Sequence, residues 1–281
     1  MDKLIINNII YKANDEGLIE SNNIKINSGV IGVVWDSFEF SDILLDILAT
    51  KMPIEEGCIS LNGHDYNRDV LNIRSRLTYI KSKGYLYESL TGREYLDIVY
   101  RLKIGRRINF DNNIYSYVGE LGLCGVLDYK IKTYSDEMVK AIQILEHIIT
   151  NGDILILEDG YNGINNSVIN IIKDFKSIVF MPISLEECSE FEDDIMIINS
   201  SKISYLGSRE RFINIHKNKG YRQFCSKQQY KYLEKNSKII SYINRGSDVE
   251  VIYISNMPLL DSSEHGKIEF KEAYLIHTNL E

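Results

Sequence analysis

Residues 29–51, GVIGVVWDSFEFSDILLDILATK, decide the fold expected of this chain. The apolar beginning predicts a buried strand at 30–35, and the later ILLDILA run predicts a helix at 41–51. A strand, a short break and a helix in this order form the frame in which a phosphate-binding loop normally lies. This break holds neither glycine nor lysine, and aromatic and acidic side chains fill it instead. The sequence therefore predicts the frame without the residues that bind phosphate.

Strand-like and helix-like runs alternate over about two thirds of the chain, and this alternation predicts an α/β fold. Apolar runs at 30–35, 153–158 and 177–181 are typical of strands buried on both faces, as in a parallel sheet covered by helices. Further strands are predicted at 4–10, 58–61 and 76–80, and as a hairpin of 194–199 with 202–207. The remaining helices are predicted at 92–103, 111–123, 135–150, 166–175 and 185–190.

The character of the sequence changes at about residue 208. Residues 209–236 are polar and basic, and they contain no run typical of a buried strand. The later runs IISYI and VEVIYI, with the closing KIEFKEAYLIHTNLE, predict a small α+β extension. We therefore expect a main domain over 1–207 and a C-terminal extension over 208–281.

Composition and charge exclude several classes of function. The 281 residues carry a net charge of −8, which disfavours a primary role in binding nucleic acid or anionic lipid. No apolar run approaches the ~20 residues that cross a bilayer, and the N-terminus lacks a signal-peptide pattern, so membrane association would require another chain. The four cysteines are too dispersed to predict a zinc site or a disulfide framework, which favours a reducing cytoplasm; they are Cys58, Cys124, Cys188 and Cys225. Abundant Ile, Asn, Lys and Tyr favour a low-GC bacterial source.

The order and spacing of several segments resemble the ATP-binding-cassette (ABC) ATPases over about residues 1–207. These segments are Gly32 with the following ILLDILA, then TYI, TYSDEM, DILILEDGYNGI, VFMPISLEE and IINSSKISYLG. The closing run EAYLIHT resembles the extension of some drug- and bacteriocin-exporter ATPases. The resemblance implies a P-loop-NTPase-like core of mainly parallel strands with added antiparallel strands. It also implies a helical subdomain at about 84–148.

The phosphate loop of that family falls on residues 35–43 here. Its lysine position becomes Ser41, and its Mg²⁺-binding hydroxyl position becomes Asp42. The other altered positions are Trp35, Asp36, Phe38, Glu39 and Phe40. Side chains other than glycine make the positive-φ turns of such a loop costly. Carboxylates would also repel a triphosphate by ~1–4 kcal/mol per pair at ~4 Å. We expect the aromatic residues to plug the site or meet a neighbouring chain, with Ser41 or Asp42 capping the next helix.

Two further motifs of the family are altered in the middle of the chain. The position of the glutamine that joins the metal to the membrane subunit becomes Ser82. The nearby Tyr85 and Tyr87 are candidates for contact with a partner helix. The signature motif becomes Ser135, Asp136 and Glu137, followed by Met138. Acidic side chains in the first helical turn would repel the phosphate that this helix terminus attracts in the family. A capped helix with an acidic first turn is the simpler interpretation.

The remaining family motifs follow the strand predicted at 153–158. The acidic pair of the Walker B motif appears in reversed order as Glu158 and Asp159, and the aspartate of the dimer contact becomes Asn165. The switch histidine position becomes Ile183. With six functional positions altered, we expect no catalytic residues, no bound metal and no cofactor.

The leading hypothesis is a catalytically inactive ABC-ATPase-like subunit that serves a bacterial exporter as a structural or regulatory partner. It would form a homo- or heterodimer, pair with an intact ABC ATPase or a membrane permease, and lie in the cytoplasm against the inner face of the membrane. One alternative is a divergent nucleotide-binding enzyme that uses Asp42, Glu158 and Asp159 with a metal. Another is a stand-alone regulatory or immunity-type binding protein that acts through residues 208–281.

Overall fold

The computed structural model divides the chain into two compact units, Met1–Ile183 with Ser189–Leu206, and Ser184–Cys188 with Gly207–Glu281. It describes residues 3–13, 17–20, 23–35, 38–81, 86–160, 162, 164, 166–175, 177–185, 192–199, 202–260 and 268–280.

The first unit begins with strands and one helix around the segment that decided the fold. In chain order its first elements are β1 (Leu4–Ala13), β2 (Gly17–Glu20), β3 (Ile24–Ile26), β4 (Gly29–Trp35), α1 (Phe38–Leu48), β5 (Glu56–Leu61), β6 (His64–Asp65), α2 (Val70–Ser75) and β7 (Leu77–Ile80). The rest are α3 (Gly92–Ile104), α4 (Asn112–Glu120), a 3₁₀ helix (Ile131–Thr133), α5 (Asp136–Ile149), β8 (Ile154–Leu157), α6 (Asn166–Asp174), β9 (Ile178–Pro182), β10 (Asp194–Asn199) and β11 (Lys202–Gly207).

One mixed sheet organises this unit, with the strand order β6-β5-β1-β2-β11-β10-β4-β9-β8-β7 and β3 paired to β1. Strands β10, β4, β9, β8 and β7 run parallel, whereas β1 pairs antiparallel with β2, β3 and β5. All four residues of β8 are buried, as are the five central residues of β4. The predicted α/β architecture, a mainly parallel sheet with antiparallel strands beside it, is therefore confirmed.

Helix α1 begins earlier than the sequence predicts. We expected it to start at residue 41, but it starts at Phe38, so Ser41 and Asp42 lie inside the helix. The expectation that one of them caps this helix is therefore wrong. Residues 38–42 include no glycine, so they favour the negative φ of a helix over the positive φ that glycines supply in a phosphate loop. The backbone can therefore be helical from residue 38 onward. Buried leucines then hold α1 against the sheet, among them Leu44, Leu45 and Leu48.

Most other boundaries agree with the prediction to within a few residues, and the exceptions have a physical reason. Strands β2, β3 and β6 and the six-residue helix α2 were not predicted, because elements this short carry too little periodicity. Strands β10 and β11 are neighbours in the sheet, as expected of the hairpin, although Ser200 and Ser201 lie outside the described residues. Of the helix predicted at 185–190, only Leu185 is described, and it lies in a turn.

The second unit is a small α+β assembly, as predicted. Its elements are α7 (Arg209–His216), β12 (Tyr221–Ser226), α8 (Lys227–Asn236), β13 (Lys238–Arg245), β14 (Asp248–Ile254) and α9 (Phe270–Leu280). The three strands form an antiparallel sheet in the order β12-β14-β13. The prediction of no buried strand in 209–236 is wrong, because β12 buries Gln223 and Cys225. In this strand the polar Gln223 is buried and the apolar Phe224 is exposed, which is the opposite of the usual strand pattern.

Helices α3, α4 and α5 occupy the stretch in which the helical subdomain is expected. A capping box of Thr91 and Glu94 begins α3, and Asp111 caps α4. Near the end of α3, Lys103 donates hydrogen bonds to the carbonyl of Leu77 (2.8 Å) and the hydroxyl of Thr78 (3.0 Å). The same ammonium forms a salt bridge with Glu146 of α5 at 2.8 Å. One half-buried lysine thus joins α3, α5 and the edge of the sheet.

None of the helices within the described residues has the length and apolarity that a bilayer crossing requires.

His147 of α5 is a buried group that remains neutral. It is 2% exposed, and its Nε2 lies 2.9 Å from the Ser177 hydroxyl. Burial lowers the pKa of His147 from 6.5 to about 3, and the positive charges of Lys103 and Lys3 act in the same direction, against a smaller opposite effect of Asp153. The folded protein therefore holds this imidazole in its neutral form over the whole physiological range.

The neutral His147 makes stability sensitive to acid. Because the folded pKa lies below the unfolded value, only the unfolded chain binds a proton here between pH 6.5 and 3. The stabilising contribution of His147 is fully present above pH 6.5. Below pH 6.5, the free energy of unfolding falls by about 1.4 kcal/mol for each pH unit. Urea unfolding of wild type and His147→Gln from pH 7.5 to 5 measures this. We expect a shallower pH slope in the variant, and equal slopes would contradict the assignment.

Candidate functional site

The connection between β4 and α1 lies where a phosphate loop would be expected. β4 ends at Trp35 and α1 begins at Phe38, so two residues join the strand to the helix. Trp35 is half-buried, packs against the main core and is in register with Ile198 of β10. Asp36 lies outside the described residues, and for Phe38, Glu39, Phe40, Ser41 and Asp42 the structure describes the helical backbone alone. A helix therefore occupies positions that the family resemblance assigns to the loop.

Glu158, the first acidic residue after β8, is held by a tyrosine of the neighbouring strand. Tyr79 of β7 donates its hydroxyl to Glu158 Oε1 at 2.5 Å. The Lys51 ammonium lies 3.6 Å from the centre of the Tyr79 ring, in a cation–π contact, and also pairs with Asp46 at 2.6 Å. The carboxylate of Glu158 is thus part of a local network that begins at the end of α1.

Asp159, the second acidic residue, is neutralised by a lysine of α5. Lys140 Nζ lies 3.1 Å from Asp159 Oδ2 and donates to the carbonyl of Asn162 at 2.6 Å. The Lys140 side chain is 9% exposed, so its charge depends on these oxygens for compensation. The sequence interpretation missed this pair, as it missed Tyr79, because α5 carries several polar side chains and Lys140 does not stand out among them.

A small depression adjoins the acidic pair. Ile80, Leu157, Gly160 and Ile164 line it together with Lys140, Glu158 and Asp159, and the Asp159 side chain is 30% exposed. Gly160 has φ +57°, and a Cβ there would lie 2.2 Å from the Pro182 carbonyl oxygen. Glycine is therefore required for the turn after β8 to approach the end of β9 so closely.

The signature positions form an ordinary helix start. Ser135 caps α5, and its hydroxyl accepts the N–H of Met138 at 3.3 Å. Asp136 and Glu137 follow in the first turn, as expected of a capped helix with an acidic first turn. Hydrogen bonds from the Ser135 hydroxyl and from its own N–H hold the pKa of Glu137 below its usual value. The negative charge at this helix end is therefore stabilised locally.

The switch position is part of the hydrophobic core. Ile183 is 5% exposed, and its N–H donates to the carbonyl of Val33 in β4 at 3.0 Å. A Cβ added to Gly32 of β4 would lie 2.4 Å from Ile183 Cδ1. This side chain packs tightly on the central strand and offers no group for proton transfer.

The remaining predicted positions are described in part. Ser82, Tyr85 and Asn165 lie outside the described residues, whereas Tyr87 is described and 69% exposed. Within the described ranges, no three His, Cys, Asp or Glu side chains are grouped as a metal site would require. Cys58, Cys124 and Cys225 are free thiols, and Cys188 is not among the described residues.

Solved structures match this geometry over most of its length. An ATP-binding subunit of an ABC transporter superposes with a TM-score of 0.66, at 14% identity, covering 76% of this chain and 92% of that one. The chain has the ABC ATPase fold. A dimeric bacterial ABC transporter cassette, MJ0796, superposes with a TM-score of 0.57 at 14% identity, covering 73% of this chain and 98% of that one.

Sequence relatives agree with this ABC ATPase fold. The ABC transporter ATP-binding protein NatA of Bacillus subtilis is 21% identical over 190 residues, 64% of this chain and 77% of NatA. The daunorubicin resistance ATP-binding protein DrrA3 of Streptomyces coeruleorubidus is 20% identical over 206 residues, 70% of this chain and 65% of DrrA3. The human phospholipid-transporting ATPase ABCA7 is 23% identical over 190 residues, which span 9% of ABCA7. No family model matches the sequence. The chain is thus homologous to ABC transporter ATPase domains.

The Lys140–Asp159 pair gives a direct test of how this ABC ATPase-like site is held together. Lys140→Met leaves the Asp159 carboxylate and the Asn162 carbonyl without their cation, so we expect the free energy of unfolding to fall by about 1–3 kcal/mol. Asp159→Asn should be destabilising for the converse reason. Because the two groups interact directly, the double variant should lose about 1 kcal/mol less than the sum of the single variants.

Urea unfolding of the two single variants and the double variant measures this coupling. Lys132→Met, at an exposed position, is the matched control and should change stability by less than about 0.5 kcal/mol. Strict additivity of the two substitutions would mean that the pair does not interact in solution.

Proposed function

We propose that this chain is a catalytically inactive ABC-ATPase-like subunit that serves an ABC exporter as a structural or regulatory partner. The observation that carries the proposal is the two-residue connection between Trp35 and Phe38, which leaves helix where a phosphate loop would be. In this proposal the subunit lies at the cytoplasmic face of the membrane, paired with an intact ABC ATPase, a membrane permease or both.

The geometry of α1 disfavours a triphosphate. A phosphate loop works because consecutive backbone N–H groups, freed by glycines, converge on the phosphate oxygens. In a helix that begins at Phe38, N–H groups beyond the first turn are bonded within the helix, and the free ones point along its axis. The carboxylates of Asp36, Glu39 and Asp42 add negative charge to the same short stretch, and it contains no lysine. A free helix end of this composition repels the anion that it would otherwise attract.

The acidic pair after β8 is also unsuited to catalysis. Coordination of Mg²⁺ or polarisation of water requires carboxylate oxygens that are accessible and uncompensated. Glu158 accepts a hydrogen bond from Tyr79, and the charge of Asp159 is compensated by Lys140. These contacts support an inactive site over the alternative enzyme that would bind metal through Asp42, Glu158 and Asp159.

The proposed partners come from the relatives. NatA is named as an ABC transporter ATP-binding protein, and DrrA3 as a daunorubicin resistance ATP-binding protein. The MJ0796 cassette was solved as a dimer. The fold that this chain shares with that cassette supports assembly of the same kind.

Calorimetric titration with ATP and GTP, with and without Mg²⁺, tests the loss of nucleotide binding. We expect no saturable heat up to about 1 mM nucleotide, a range in which a functional site with micromolar affinity would be filled. An intact ABC ATPase titrated in parallel is the positive control. Saturable binding that requires Mg²⁺ would contradict the proposal and favour the metal-dependent enzyme.

Affinity purification from detergent-solubilised cells tests the partner role. The tagged full chain should retrieve an ABC ATPase or a membrane permease in stoichiometric amount, and mass spectrometry identifies it. A chain tagged at the opposite end is the control for a blocked surface. If neither tagged form of the chain retrieves an ABC ATPase or a permease, the exporter role is contradicted, whatever the outcome of the nucleotide titration.

A further inference from the structure

A cleft lies in the first unit, at the end of α5 opposite to Ser135. Its volume is about 470 Å³, within the range of ~300–1,000 Å³ typical of small-molecule sites. Its walls come from the connection between α3 and α4, the last turn of α5 and Phe175 just after α6. We call it the distal cleft. Since α5 has 14 residues, the cleft lies roughly 20 Å from the signature positions along the helix.

Part of the wall of the distal cleft is apolar, within a lining that is polar over most of its exposed area. Ile148 is buried there and Ile149 is half-buried. The rings of Tyr117 and Phe175 meet edge to face with their centres 5.4 Å apart. An aliphatic and aromatic surface of this kind favours a flat apolar body that excludes water from it.

The rim of the distal cleft carries two arginines, Arg106 and Arg107, on the α3–α4 connection. Within the described residues, neither guanidinium lies in a salt bridge; Arg106 reaches the Tyr100 hydroxyl at 3.5 Å. The Asp111 carboxylate on the same rim accepts the N–H of Ile114 at 3.0 Å as the cap of α4. The rim thus holds two positive charges and one engaged carboxylate, on a chain whose net charge is −8.

A carboxylate close to these arginines already has other partners. Asp97 of α3, the carboxylate on which Arg107 acts electrostatically, is bound by Arg101 of the same helix and by the N–H of Ile108 at 3.3 Å. Arg106 and Arg107 line one cleft, and within the described residues neither forms a salt bridge, so both can bind an oxyanion through the paired N–H donors of the guanidinium group. The amides of Asn109 and Asn113 on the same rim add neutral donors and acceptors.

We propose that the distal cleft binds a small organic anion with a flat apolar body, whose carboxylate or phosphate meets Arg106 and Arg107. The apolar body lies on Ile149, Tyr117 and Phe175. This site is separate from the family's nucleotide position and does not depend on the function proposed above. An effector bound there would contact α3, α4 and α5 together.

Three probes of matched shape test the site: 2-naphthoate, 2-naphthyl phosphate and the neutral 2-naphthylmethanol. Calorimetry or ligand-observed NMR on the full chain should give a Kd below about 1 mM for at least one anion and binding at least about tenfold weaker for the alcohol. The tighter of the two anions identifies the head group. Equal affinity for the alcohol, or no binding of either anion at about 10 mM, would overturn the proposal.

Substitution of the rim locates the bound anion. Arg106→Gln with Arg107→Gln should weaken the anion by at least about tenfold and leave the alcohol unchanged, because each removed charge takes its hydrogen bonds with it. Both side chains are exposed, so the fold should persist, and the thermal midpoint checks this. Arg68→Gln, also exposed but outside the cleft, is the matched control. Unchanged anion affinity in the double variant would place the probe elsewhere and refute the assignment.

Discussion

The length of one connection, from Trp35 to Phe38, constrains the rest of this molecule. β4 lies between β10 and β9 in the parallel part of the sheet, buried on both faces, and α1 must pack directly beside it. With two residues between them, the helix starts as soon as the strand ends. The core receives Leu44, Leu45 and Leu48 from α1, and only two residues are left between the strand and the helix, too few for a phosphate-binding loop.

The surrounding charges are arranged consistently with that constraint. Glu158 and Asp159 each have a partner from within the same unit, Tyr79 in one case and Lys140 in the other. Buried or half-buried carboxylates cost free energy unless they are paired, and a bound metal is one of the ways to pair them. Side chains of the protein fulfil that requirement here. The two residues that the family resemblance assigns to the Walker B motif thus contribute to the stability of this fold.

The sequence allowed the parallel core to be predicted because strands such as β4, β8 and β9 are uninterrupted apolar runs. It predicted the capped start of α5 for a similar reason, since Ser135 and its acidic neighbours leave a clear local signal. The early start of α1 was missed because the family resemblance imposed a loop on residues whose own preferences allow helix. β12 was missed because Gln223 is buried while Phe224 is exposed, and a pattern of side-chain polarity cannot express that inversion. The partners of Glu158 and Asp159 come from distant segments, so spacing along the chain does not reveal them.

Lys103 has a mechanical consequence. Its ammonium bonds to Leu77, Thr78 and Glu146, so it links α3, α5 and β7 at a single point. For α3 to swing away from the sheet, three charge-assisted contacts would have to break in a poorly hydrated place, at about 1.5–3 kcal/mol each. A force applied to α3 by another molecule is therefore transmitted directly to the sheet edge. Helix α3 is therefore expected to move together with the sheet edge and not to rotate independently of it.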